Sequence, residues 1–167
     1  MILAIDVHYR ENLAKTVSIA FEDWQDDQPS NIQVLDLPIA DDYQPGEFYK
    51  RELPCIVEVL TLFDLSFCET IIIDGYVTLS NDGKRGLGAY VFDHLDGKIP
   101  VVGVAKKRFH NNDLYVAEVL RGSSANPLFI SVAGMALNDA AEKVKTMHGE
   151  FRMPTLLKIL DQKTKEN

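Results

Sequence analysis

Cysteine is scarce in these 167 residues: only Cys55 and Cys68 occur, both among apolar neighbours. Two thiols make no disulfide framework, so the chain reads as reduced and cytoplasmic rather than secreted and stapled. No apolar run approaches the roughly 20 residues that span a bilayer, and no membrane contact is expected. The opening Met1-Ile2-Leu3-Ala4-Ile5-Asp6 has neither a basic leader nor a cleavage site, which predicts no secretion signal. Repeats and low-complexity linkers are missing too. Residues 1–167 are therefore read as a single domain with a polar tail from about residue 162. At this length, with 46% hydrophobic residues, a core forms without staples and disorder is excluded. Nothing in the pattern sets an oligomeric state.

Positive charge is also short. Seventeen Lys and Arg face 25 Asp and Glu, a net charge of −8. That balance argues against tight non-specific nucleic-acid binding, which is driven by counterion release from phosphates. The deficit is uneven, however. Between Glu22 and Glu47 stand Asp23, Asp26, Asp27, Asp36, Asp41 and Asp42 with no base. Between Lys84 and Arg108 the bases Lys84, Arg85, Lys98, Lys106, Lys107 and Arg108 outweigh Asp93 and Asp96. A focused patch of this kind steers an anionic ligand even on an acidic protein. Two solvated faces of opposite sign are the plainer alternative.

Periodicity supplies the fold. Residues 2–7 are a short apolar run ending beside a carboxylate, and 14–21 and 32–37 are two further strands, joined by a tight turn and a polar loop. Short connections between neighbouring strands suggest an antiparallel meander. The period then changes. Phe48, Glu52, Cys55, Ile56, Val59, Leu60 and Phe63 recur at helical spacing, with Pro54 either kinking the helix or opening its main part. After it, 70–73 is a β-branched strand closed by Asp74-Gly75, 87–95 a helix and 99–104 an apolar strand. Weaker strands at 114–120 and 128–132, a helix at 137–147 and a short helix at 154–160 complete the chain. Three antiparallel strands followed by alternating helix and strand is the pattern of a mixed sheet with helices on both faces. That is the α/β order of the ribonuclease H-like fold, with the later strands expected to be parallel.

Three acids stand where a core should be. Asp6 and Asp74 end apolar strands, and Glu52 replaces an apolar residue on the buried stripe of the first helix. A buried carboxylate needs a hydrogen-bonded partner, a proton or a metal. If strands one and four are adjacent and parallel, Asp6 and Asp74 emerge at one sheet edge, with Glu52 laid over it. Three hard oxygen donors converging this way suit Mg²⁺ or Mn²⁺. Turn capping by the two aspartates, and pairing of Glu52 with Lys50 or Arg85, are the competing readings. Lys106, at the exit of an apolar strand, can hold a phosphate oxygen as a point charge, or be a solvated strand end.

These residues also carry a resemblance. The segments are Asp6-Val7-His8-Tyr9-Arg10, then Tyr43-Gln44-Pro45-Gly46 with Lys50-Arg51-Glu52-Leu53-Pro54, and Ile73-Asp74-Gly75. Gly86-Leu87-Gly88, the run from Ile99 to Lys106, Asn126-Pro127-Leu128-Phe129-Ile130-Ser131-Val132 and Arg152-Met153-Pro154-Thr155 follow in order. Together they resemble endonuclease V, the metal-dependent nucleases that act on inosine-containing nucleic acid. The resemblance implies a Mg²⁺-dependent endonuclease, with Mn²⁺ as an alternative ion, that hydrolyses a phosphodiester near inosine in DNA or RNA. Asp6, Glu52 and Asp74 are then the metal-binding and catalytic carboxylates, and Lys106 the catalytic lysine at the phosphate. Tyr43, Gln44, Pro45 and Gly46 form a wedge beside a flipped base. Tyr9, Gly75, Lys84 and Arg85 complete the expected substrate-binding set.

The departures from the family pattern are specific. Its His-Pro-Arg segment after Asp-Gly is replaced by a loop at 76–85 that lacks histidine. Its histidine after Ser-Val-Gly is absent from Ser131-Val132-Ala133-Gly134-Met135, and Asp139 is the nearest acid. The alternative function is thus a catalytically weakened or inactive homologue that binds nucleic acid or another protein.

Overall fold

The computed structural model describes residues 1–39, 47 and 49–167. The expected wedge, Tyr43 to Gly46, lies outside these described residues.

A seven-stranded sheet forms the centre, in the order β3-β2-β1-β4-β5-β7-β6. Strands β1 (Ile2–Arg10), β2 (Leu13–Phe21) and β3 (Asn31–Pro38) make the antiparallel meander. β4 (Thr70–Asp74) lies parallel to β1, and β5 (Val101–Ala105) parallel to β4. The parallel part stops there. β7 (Leu128–Ala133) and β6 (Ala117–Val119) return antiparallel, because only a short loop joins them and no crossover helix intervenes.

Helices α1 (Tyr49–Leu60) and α2 (Leu87–His94) cover one face, where Ile56, Val59 and Val91 pack on Leu3, Ile5, Ile71 and Ile73. Helices α3 (Leu137–Lys145) and α4 (Thr155–Lys165) cover the other, where Val144, Leu156 and Leu160 pack on Ala4, Ile72, Val102 and Ile130. Alternation along each strand divides these two layers: Leu3 and Ile5 face α1, while Ala4 and Asp6 share the opposite parity. Each fully buried Leu or Ile is worth roughly 1.5–3 kcal/mol, so the two layers outweigh local strand preferences.

Two boundaries differ from expectation. α1 begins at Tyr49 and continues through Pro54, so the proline sits inside the helix and does not open it, at the loss of one amide hydrogen bond. α4 continues to Lys165 instead of fraying at 160. Its last turn is held by tertiary contacts: Arg10 Nη2 donates to the Thr164 carbonyl at 3.2 Å, Lys15 Nζ donates to that of Glu166 at 2.7 Å, and Thr164 is fully buried. Cations at a helix C-terminus satisfy its free carbonyls and complement its dipole. Among the described residues no helix is long and apolar enough to cross a membrane.

Candidate active site at the sheet rim

Parallel pairing of β1 with β4 ends at Ile5 and Ile73, so Asp6 and Asp74 follow side by side at the same end of the sheet. β5 runs alongside, with Val104 opposite Asp74, and delivers Lys106 one residue beyond its end. Asp6 Oδ1 accepts the Val7 amide at 2.9 Å, and its Oδ2 accepts the Thr164 hydroxyl at 3.2 Å. Burial, and after it the charge of Asp74, pushes Asp6 up from the ordinary aspartate value to about 7. Asp74 opens to solvent through a cleft, yet protein crowds its other sides. That desolvation raises it as well, against the pull of Lys106.

Glu52 comes from the helix layer on the other face, but its carboxylate reaches the same rim. It is 7% exposed, and burial, reinforced by Asp6 and Asp74, lifts it well above the usual glutamate range. Neither pairing weighed for it from sequence occurs: Lys50 pairs with Glu47 and Arg85 with Asp93. Glu52 and Asp74 line a cleft of about 390 Å³, together with Gly75 and a set of aromatic and aliphatic side chains. On the other side of Asp74 a small hollow holds Asp6, Lys106 and Asp161. Asp74 thus belongs to both. Among the described residues, no three His, Cys, Asp or Glu side chains stand close enough together here to hold one ion. The donor chemistry nevertheless fits a hard divalent cation, because Asp6 and Asp74 end adjacent parallel strands side by side and offer carboxylate oxygens whose crowded negative charge such an ion would neutralise.

Asp161 escaped the sequence reading. Lys106 Nζ donates to its Oδ1 at 3.1 Å and Lys165 Nζ to its Oδ2 at 2.9 Å. Burial works to raise Asp161, but these two ammonium partners prevail and hold it below the ordinary value. Its signal is its place directly after Leu160, beside a stripe of Leu156, Leu157, Leu160 and Thr164, in the helix that Arg152-Met153-Pro154-Thr155 leads into. Asp139, the acid nearest the position of the missing family histidine, is exposed in the first turn of α3. No side chain fits readily at Gly134 either, since φ is +81° and a Cβ would meet the Phe92 ring at 2.7 Å.

The remaining expected residues divide. Gly75, at φ +137°, lines the cleft with nothing within 4 Å of its Cβ position, and its amide donates to the Val104 carbonyl at 3.1 Å. Gly103 makes that crossing possible: a Cβ there would come 2.5 Å from the Gly75 carbonyl oxygen. Tyr9 lies under the Arg51 guanidinium, 4.2 Å from its ring centre, and burial followed by the Glu52 charge raises its hydroxyl. The basic patch is less free than its sequence suggests. Arg85 pairs with Asp93, Arg108 with Asp113 and Glu118, and Lys106 with Asp161. Lys84 and Lys107 are exposed.

Known proteins supply the comparison for this geometry. The family model described as Endonuclease V matches residues 1–162. The bifunctional methyltransferase/endonuclease of Picrophilus torridus is 29% identical over 98% of this chain and 53% of its own length, so the chain spans about half of that curated relative. Human endonuclease V has the same fold, with a TM-score of 0.79 at 19% identity over 98% of this chain and 82% of its own. So does Ciona intestinalis endonuclease V, in a complex with a 23mer DNA containing an inosine followed by a ribo-adenosine. Its TM-score is 0.80 at 15% identity, over 98% of this chain and 83% of that one. With the family model covering nearly its whole length, the chain belongs to the endonuclease V family.

Proposed function

We propose that the chain is a divalent-metal-dependent endonuclease that hydrolyses a phosphodiester bond beside a deaminated purine, inosine, in DNA or RNA. The observation that carries this reading is the pair Asp6 and Asp74, side by side at the strand ends, with Asp74 lining a cleft large enough for a nucleobase. Asp6 and Asp74 would hold Mg²⁺ or Mn²⁺, and Glu52 would complete the set only once the ion draws its carboxylate to theirs. Such an ion, when bound, activates water and neutralises the charge that builds on the scissile phosphate.

The chain's own residues do the rest. Asp6 must lose its proton before it serves as a ligand, which ties activity to a pH near or above 7. Lys106 Nζ stands at the rim on Asp161 and exchanges this carboxylate for a phosphate oxygen. Gly75 leaves open space at the cleft, so a flat base extruded from its stack enters without meeting a side chain there. Ser131 Oγ accepts the Val77 amide at 2.9 Å and fixes the loop that carries Gly75. The small apolar-lined opening favours shape over charge as the basis of base choice.

Labelled DNA and RNA oligonucleotides with a single inosine test the reading, with Mg²⁺, Mn²⁺ or EDTA. Cleavage near the inosine that EDTA abolishes is the expected result. Binding without cleavage under either ion would replace the nuclease by a nucleic-acid-binding homologue, a reading favoured by the histidine-free loop at 76–85.

A further inference from the structure

We propose that Tyr49 is a specificity-determining wall of the cleft, offering a buttressed π-face on which the extruded base stacks. The substrate class rests on the endonuclease reading; the wall itself rests on geometry. Tyr49 opens α1 and lines the cleft, as does Leu87, which opens α2. The Tyr49 ring stacks on that of Tyr90 from α2, with centroids 3.8 Å apart and planes 11° from parallel. Arg85 lies over the Tyr90 ring, 5.3 Å from its centre, and is itself fixed by Asp93 and by a 3.1 Å hydrogen bond to the Ala89 carbonyl. Because Tyr49 fills one face of Tyr90, the guanidinium takes the other. The order is therefore Asp93, Arg85, Tyr90, Tyr49 and then the cleft.

A lone tyrosine in a first helical turn swings about two side-chain torsions. One held against a second ring, itself backed by a cation, is arranged before the ligand arrives, and the ordering cost of binding falls accordingly. Glu52 follows Tyr49 by three residues on the same helix face, so a base resting on Tyr49 lies about one helical turn, roughly 5 Å, from a rim carboxylate. Tyr76 and Phe109, edge to face at 5.9 Å, add apolar lining from two other elements. Tyr90 does not line the cleft and acts through Tyr49, as a positioning residue.

The test compares variants on two ligands. Fluorescein-labelled single-stranded oligonucleotides carry either one inosine or one abasic site at the same position, and binding is read by anisotropy in EDTA. Base–aromatic stacking predicts that Tyr49→Leu weakens binding of the inosine strand about five- to 150-fold. Tyr49→Phe, which keeps the π-face, recovers that affinity. On the abasic strand, wild type and Tyr49→Leu bind alike, because there is no base to stack. Tyr90→Leu loses affinity by a smaller factor and Tyr90→Phe recovers it. With Mg²⁺ or Mn²⁺ the Tyr49→Leu defect falls on KM rather than kcat. Equal inosine binding by wild type and Tyr49→Leu, or an equal loss on the abasic strand, overturns the wall while leaving the endonuclease reading in place. If the wild type neither binds nor cuts the inosine strand, both fall together. Circular dichroism of each variant separates lost folding from lost stacking, and Tyr90→Leu gives a second route should Tyr49→Leu not fold.

Discussion

In the loop after β2, Asp26 Oδ2 accepts the amides of Glu22 and Asp23 at 3.0 Å each, and Asp23 Oδ1 accepts that of Gln25 at 2.8 Å. At the rim, Asp6 has one amide and one hydroxyl, and its nearest neighbour of consequence is another carboxyl group. The two regions use the same residue type to opposite ends. Water and backbone amides accommodate the loop's acids one by one, so a run of them costs little. The rim puts fewer acids in a desolvated place with Lys106 already committed to Asp161, and burial there pushes Asp6 and Glu52 toward their protonated forms. Acid count therefore says less than what each acid faces.

The largest effect expected of this difference is catalytic. Asp74→Asn or Asp6→Asn should lower metal-dependent cleavage of an inosine strand by about a hundredfold or more, since ion-based charge stabilisation is worth several kcal/mol. Asp23→Asn, altering an acid in the loop, should leave the same assay unchanged. A rim variant that still cuts would break the comparison outright. Lys106→Met comes next, with a loss of about ten- to a hundredfold, the value of a charge-assisted hydrogen bond to phosphate. A salt titration sharpens it, because the variant should show a shallower salt slope, by about one.

Stability against pH distinguishes the regions without any substrate. The folded value of Asp6, about 7, lies above its ordinary value of 3.8. Between these two pH values the folded chain holds the extra proton. Its contribution is complete below about 3.8 and lost as pH rises through about 7. Melting of the metal-free protein should thus show a downward component from pH 4 to pH 7 that Asp6→Asn removes, monitored by circular dichroism. Millimolar Mg²⁺ or Mn²⁺ should raise the melting temperature more at pH 8 than at pH 5, because the ion replaces the proton. Equal metal effects at both pH values would remove the carboxylates as ligands. The smallest effect belongs to the loop: Asp26→Ala frees two amides at a half-buried site and should cost about 0.5–1.5 kcal/mol in urea unfolding, with no change in cleavage.

Asp6 and Asp74 were legible because an acid interrupts a β-branched run, and Glu52 because it interrupts a helical stripe. Both patterns are local, and the register that brings the strands together follows from them. Asp161 was not legible, since an acid in a polar C-terminal segment looks solvated until the helix is known to continue and dock on β1. The pairing of Arg85 and Arg108 was hidden for a similar reason. Their acidic partners lie eight and five to ten residues away, and only the loop shapes decide whether they meet. The Tyr49–Tyr90 stack depends on two helices settling against each other, which no single-helix period displays.

The contact between Thr164 and Asp6 joins residues 158 positions apart. Asp6 comes from the first strand and Asp161 from the last helix, so the site is a seam closed by bringing distant parts of the chain together. Distant contacts of this kind form late in folding, after the loop-closure entropy of the intervening sequence has been overcome. A chain still folding, or one whose last helix has come undone, holds Asp74 and Lys106 without Asp161 or the Thr164 tether. On the proposed reading, the capacity to cut would belong to the finished molecule alone, and a half-made one would be harmless to the nucleic acid around it.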